Sequence, residues 1–276
     1  MRKIKPANAD CKPQILVVVS DLHCGSDVGL APPMVSIKSG NVISHGKNAV
    51  QEWLWLCWSD MILRVNEIVG DDSFALLING DATEGIHHRD SAVIAATIEE
   101  HVAIAEECLK PLTDRAQHIM VTLGTECHTL GIEHVLAHRI KALTGKAKNK
   151  WQFKIRGCLV EATHHIGTAS KMWLEASALS GSINSARLNA FRSGHEVPQL
   201  FLRGHRHAPG HFCDGQGMME ISGGWQALTR HGHKVVPDAL PRPSVPVFDW
   251  RGQEPGTLPR VHRLLYDSPQ EKIISI

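Results

Sequence analysis

Two short segments place metal-type donors two residues apart, Asp21-Leu22-His23 and His205-Arg206-His207. Between them lie Gly80-Asp81, the stretch Gly124-Thr125-Glu126-Cys127-His128, and the pair His164-His165. Carboxylate and imidazole together suit Mn, Fe, Zn or Ni rather than Ca, and neutral imidazoles beside few carboxylates leave a site positive enough for phosphate. Two such ions about 3.5 to 4 Å apart activate a water and clamp the oxygens of an in-line displacement. Asp81, with two carboxylate oxygens, is the natural bridge between them. A single D-x-H or H-x-H is weak, because solvated loops and satisfied core histidines give the same pattern. Five donor-bearing segments in order are a far stronger signal.

Each segment needs an element to present it. "ILVVV" at Ile15 to Val19, "FALLI" at Phe74 to Ile78, "HIMVTL", "CLVEAT" and "PQLFLRGHRH" all read as strands running into donors. Alternate residues at a strand end point the same way, which predicts that Asp21 converges with His23 and His205 with His207. Residues 24 to 47 form a long loop with a small hairpin around Ser39-Gly40. From Asn48, the residues Val50, Leu54, Trp58, Met61, Val65 and Ile68 mark a helical face ending near Gly70. Trp53, Trp55 and Trp58 fall in that helix, and amphipathic spacing favours core packing over base stacking.

Ile94, Ile98, Val102, Ala105 and Leu109 predict a second helix that stops before Pro111, and Ile132 to Leu143 a third that ends at Gly145. Strand, glycine-bearing loop and helix thus alternate three times. That is the layout of a layered α/β fold with parallel strands and function at their carboxyl ends. Further on, "WQFKIRG" and "CLVEATHH" read as adjacent strands turning at Gly157, and Ser170 to Phe191 as helical. A hairpin is expected at Asp214-Gly215. Pro-rich Val235 to Leu258 reads as irregular, and "RVHRLLYD" as a closing strand.

The totals set bounds. With 276 residues, 43% hydrophobic and 21% charged, the chain is expected to bury one large core as a single domain. A net charge of +1 gives no global field for nucleic acid or membrane. One basic segment, holding Lys141, Lys146, Lys148, Lys150, Lys154 and Arg156, keeps a nucleic-acid partner open. Seven scattered cysteines without a CxxC pair fit a reducing compartment. No apolar run has signal-peptide or membrane-span length, so a cytoplasmic protein without a membrane partner is expected. The unusual total is eighteen histidines against one tyrosine.

In order, "DLH", "GD", "GTECH", "HH" and "GHRH" resemble the motifs of the calcineurin-like metallophosphoesterases, over about residues 15 to 210. The loop "DLHCGSDVGLAPP" is also similar to that of members from bacteriophage genomes, which would put the protein in a host cytoplasm. The resemblance implies an α/β fold: a four-layer α-β-β-α sandwich with two central mixed sheets and a metal site at the strand ends. One domain would span 1–276, with a motif-bearing core at about 14–225 and a C-terminal extension at about 226–276.

It further implies two divalent ions, Mn2+ by expectation, with Fe, Zn or Ni as alternatives. Asp21, His23 and His207 would hold the first, Asp81 would bridge, and His164 and His205 would hold the second. The family's third motif is usually Gly-Asn-His followed by an acid. Here Thr125 stands at the Asn position, so either its hydroxyl binds the second ion or Glu126 replaces it as a carboxylate ligand. His128, offset by two places from the usual proton donor, is the candidate general acid, with His87 and His88 as rivals. His164 directly follows "CLVEAT" and is the first choice of ligand there, with His165 as fallback or phosphate contact. Arg89 and Arg206 flank motif residues and either hold phosphate oxygens or are solvated. Cys127 has no evident partner base for thiol catalysis. Gly223, Gly224 and Trp225 either frame a pocket or form a turn packed by a core tryptophan.

The implied reaction is hydrolysis of a phosphoester, a phosphodiester ahead of a monoester, by hydroxide activated at a dinuclear metal centre. A DNA or RNA nuclease would use the same centre. A binding or structural homologue weakened by the altered third motif is the other alternative.

Overall fold

The structure is a computed structural model and describes residues 12–36, 42–44, 48–86, 93–129, 131–166, 175–229, 232, 234 and 242–269. His87, His88 and Arg89 lie outside these, as does the side chain of Cys127.

β1 (Ile15–Val19) is buried along its whole length, and its alternation shows why five apolar residues stand in a row. Ile15, Val17 and Val19 pack with helix residues such as Leu54, Met61 and Val102. Leu16 and Val18 point the other way, to Val160, Leu200 and Leu202 of a second sheet. β2 (Met34–Ser36) and β3 (Val42–Ser44) form the small hairpin expected in the long loop.

α1 (Ala49–Val69) starts at Asn48, whose side chain accepts hydrogen bonds from the backbone N–H groups of Val50 and Gln51. It ends at Gly70, with φ 63°. Trp58 is buried edge-on to Trp225 at 4.7 Å, so this tryptophan is a core residue.

β4 (Ala75–Asn79) and β5 (His118–Thr122) continue the sheet in parallel beside β1. Between them, α2 (Ile98–Thr113) opens with a capping box formed by Thr97 and Glu100. It does not stop before Pro111 but runs on to Thr113. Only one ladder bond is lost there, and the extra turn buries Leu112. The short α3 (Glu126–Thr129) and α4 (Ile132–Arg139) follow, α4 ending four residues sooner than the periodicity predicts.

β6 (Lys150–Ile155) and β7 (Cys158–Thr163) pair antiparallel, as expected from the turn at Gly157. α5 (Glu175–Arg192) then leads to β8 (Leu200–Arg203), and β9 (Gly210–Cys213) and β10 (Met218–Ile221) form the predicted hairpin.

The last part of the chain corrects the sequence reading. Ser244–Asp249 is a fully buried strand, β11, inside the segment expected to be irregular. β12 (Arg260–Leu265) pairs with it antiparallel. The first sheet therefore runs β12-β11-β1-β4-β5, and the second β6-β7-β8-β10-β9. α1, α2 and α4 contribute to the core outside the first sheet. Leu179 and Ile183 of α5 pack on Phe201, Met219 and Ile221 of the second. The result is a four-layer α-β-β-α sandwich with two mixed sheets, and Asp and His side chains gather at the strand ends. No helix among the described residues is long and apolar enough to cross a membrane.

Candidate metal centre

Beyond their carboxyl ends, β1 and β4 stay zipped through their loops. The Asp21 N–H donates to the Gly80 carbonyl at 3.1 Å, and the His23 N–H to that of Asp81 at 3.0 Å. The two loops are tied to a third. Trp225 donates its N–H to the Asp21 carbonyl at 2.8 Å, and Gly224 donates to that of His207 at 3.1 Å. Trp225 thus packs the core and anchors the site loop at once.

Strand alternation does not bring the donors together. Asp21, His23, Asp81, His205 and His207 all lie past their strands with positive φ, at 54°, 46°, 48°, 71° and 55°. Among the described non-glycine residues only Lys141 and Arg156 share that region. Left-handed backbone is costly for residues with a Cβ, and it turns these side chains inward over the sheet end. Gly124 is required for a related reason: a Cβ there would lie 2.0 Å from Asp81 Oδ1 and 2.4 Å from its backbone N.

Four groups of three donors form, the ligand atoms of each lying within 4.8 Å of one another. Asp21, His23 and His207 make one. His207 Nε2 is 3.1 Å from His23 Nε2 and 3.5 Å from Asp21 Oδ1. His23 gives its Nδ1 to the Glu84 carboxylate at 2.8 Å, which leaves Nε2 to carry the lone pair of the neutral ring. Two imidazole nitrogens and a carboxylate oxygen facing one another, with Asp21 and His23 buried and His207 half-buried, are a donor set that a divalent cation fits.

The second group is Asp21, Asp81 and His164, and the third His164, His165 and His205. His164 donates through Nδ1 to the Asn79 carbonyl at 2.7 Å and turns Nε2 to Asp81 Oδ2 at 3.0 Å. Asp81 also accepts from the Thr125 N–H at 2.7 Å and from its hydroxyl at 3.0 Å. The fourth group, His23, Glu84 and His128, puts the candidate general acid beside the first. His128 holds the Glu84 carbonyl through Nδ1 at 2.9 Å and stands edge-on to His23.

Burial opposes every charge here, and the partners decide the outcome. Burial alone would lower His23, but the Glu84 carboxylate raises it. His164 is likewise lowered by burial but lifted by Asp21 and Asp81 to about 9. His207 is dominated by burial and falls to about 4. Burial would raise Asp81, yet the hydrogen bond from His164 holds it below the usual carboxylate range.

Asp21, His23, Asp81, Thr125, His164, His165, His205, His207 and His128 therefore come together. Glu126 is exposed on α3 and belongs to none of the four groups, and Arg206 is half-buried between two of the histidines. Glu84, Gln226 and Glu133 were missed by the motif reading. Gln226 donates to Glu84 Oε2 at 2.7 Å, fixing the carboxylate that fixes His23. Glu133 lies fully buried under Gly124, whose N–H it accepts at 3.3 Å. Burial and the neighbouring Asp81 charge raise it to about 8. Glu84 had a local signal, being three residues after Asp81 in one loop. Gln226 had none.

No protein-family model and no curated protein matches the chain. Among solved structures, it is similar to a single mutant of Vps29 from Entamoeba histolytica, at 13% identity and TM-score 0.43, covering 92% of this chain and 99% of that one. A novel archaeal phosphodiesterase is similar at 10% identity and TM-score 0.42, covering 90% and 99%. So is a predicted phosphoesterase from Streptococcus pneumoniae, at 15% and 0.35, covering 91% and 97%. Likenesses this distant leave function to the side chains of the site.

Proposed function

We propose that the chain is a single-domain, metal-dependent phosphoesterase that hydrolyses a phosphodiester at a dinuclear centre. The observation that carries this reading is the convergence of Asp21, His23, Asp81, His164, His205 and His207 from four separate loops into overlapping donor groups, in which the group of Asp21, Asp81 and His164 shares Asp21 with one half and His164 with the other. When bound, two divalent ions supply the Lewis acidity that readies a water and neutralises phosphoryl oxygens.

The chain's own residues do the rest. Glu84 and Asn79 fix the ring faces of His23 and His164 by taking their Nδ1 hydrogens. Thr125 holds both oxygens of Asp81. His128, anchored through Nδ1, would protonate the leaving oxygen from Nε2 when its ring carries both hydrogens. Arg206, between His205 and His207 in the sequence, is the candidate to meet a phosphate oxygen.

A small diester is favoured over nucleic acid because the net charge is only +1 and two of the six cations of the basic segment are paired with carboxylates. Lys150 pairs with Glu161 at 2.8 Å and Lys154 with Glu196 at 2.6 Å, while Arg156 bonds Gln14 and the Gln253 carbonyl. The test is hydrolysis of bis(p-nitrophenyl) phosphate and p-nitrophenyl phosphate by metal-stripped protein with Mn2+, Zn2+, Ni2+ or Mg2+ restored, beside Asp81→Asn. Metal-dependent turnover of the diester, lost in the variant, is expected. Metals bound without turnover of either ester would move the assignment to a binding role.

A further inference from the structure

The rings of His164, His165 and His205 close into a triangle, with centroids 5.0, 4.9 and 5.4 Å apart and interplanar angles of 73°, 72° and 75°. One donor nitrogen from each lies within 4.8 Å of the other two. His165 is exposed, so core packing does not hold its ring there, and confining an exposed side chain costs rotamer entropy. Three imidazole nitrogens this close make a donor set suited to one common cation.

Thr125 explains why a third imidazole is needed. Its hydroxyl donates its one hydrogen to Asp81 Oδ2 at 3.0 Å and stands 3.2 Å from His205 Nδ1. A hydroxyl has one hydrogen to give, so with Asp81 as acceptor it receives the Nδ1–H of His205. It then works as a link from Asp81 to His205 and leaves Nε2 of His205 as the donor atom.

Resting on the metallophosphoesterase reading, we propose that His165 is a ligand of the second metal half-site, completing a three-imidazole set with His164 and His205. Thr125 is then a positioning residue that orients His205 and does not bind the ion. Three imidazoles with the shared Asp81 carboxylate select Zn2+, Co2+, Ni2+ or Fe2+ over Mg2+, Ca2+ and Mn2+ at this half-site.

The experiment titrates Co2+ into the metal-stripped chain, followed by visible absorption and calorimetry, for wild type, His165→Ala, Thr125→Val and His207→Ala. Diester hydrolysis is measured alongside. The wild type is expected to bind two ions. His165→Ala should weaken one of them by at least the ~10–100-fold that even a lost outer-shell partner costs, and leave the other unchanged. His207→Ala should weaken the ion of the first half-site, and Thr125→Val should weaken that of the second by less than His165→Ala does. Since His165 is exposed, circular dichroism should show His165→Ala folded as the wild type. Two ions bound by His165→Ala as tightly as by wild type would overturn the assignment and leave the phosphoesterase reading standing, as would a Thr125→Val loss equal to that of His165→Ala. A wild type that neither binds two ions nor hydrolyses a diester would overturn both.

Discussion

Glu84 touches two of the residues to which chemistry is assigned. Its carboxylate takes the Nδ1 hydrogen of His23, and its carbonyl is held by His128. Replacing Glu84 by Gln keeps the size but removes the charge that fixes the His23 ring. Zn2+ affinity of the first half-site should fall ~10–100-fold, read by calorimetry on the metal-stripped protein. Glu133 makes a prediction of the opposite kind. Its carboxyl is raised to about 8 in the fold, so the folded state holds a proton that the unfolded chain releases near its ordinary pKa. The stability this gives is full below about pH 4.5 and lost as pH rises through about 8. Glu133→Gln, neutral at every pH, should therefore match wild type at pH 5 and exceed it by about 2–4 kcal/mol at pH 9 in metal-free urea unfolding. Equal stability at both values would show that Glu133 is not held protonated. The motif residues were legible because donors two apart after an apolar run are a local pattern. Glu133 and Gln226 were not, because their roles depend on what the fold sets beside them.

At the scale of elements, caps and close approaches are the local rules that the fold obeys. Thr97 accepts the Glu100 N–H at 3.3 Å, while Glu100 accepts that of Thr97 at 3.0 Å. Thr97→Ala should cost about 1 kcal/mol in denaturant unfolding, with site metal affinity unchanged. Gly124→Ala acts elsewhere, since its Cβ would press on the backbone of Asp81. It should lower diester turnover at least ~10-fold with each metal, measured at saturating ion. Most strands and helices could be read from periodicity, including the long loop's hairpin. β11 could not, because Pro243 and Pro246 disguise it. Pro246 pairs with Arg263 of β12, one residue past Val247, the last position in register with β1. A proline fits there because it has no N–H to give, and the ladder with β1 ends beside it. The positive-φ donors were equally hidden, since backbone handedness at Asp and His leaves no compositional mark.

Across the whole molecule, the two sheets are joined by a charged pair as well as by apolar packing. Arg263 of β12 donates to both oxygens of Glu220 of β10, each at 2.8 Å, and Glu220 is only 4% exposed. Burial holds the Glu220 carboxyl above its usual range even with Arg263 beside it. Arg263→Met should destabilise by roughly 2–4 kcal/mol at pH 8, and by less as pH falls, because the raised Glu220 carboxyl then takes up a proton more readily than an ordinary one. The double variant with Glu220→Gln should recover most of the loss; no recovery would show that the cost lies in packing. The central strand of the first sheet has a further consequence, one of timing. β1 gains β4 as a neighbour about 60 residues later in the chain, but β11 only about 225 residues later. At about 5–20 residues per second of synthesis, one edge of an all-apolar strand waits some 10 to 45 seconds for its partner. During that interval the nascent chain offers a template to any other extended segment, and yield in the cell should track how well that open edge is shielded as the ribosome finishes.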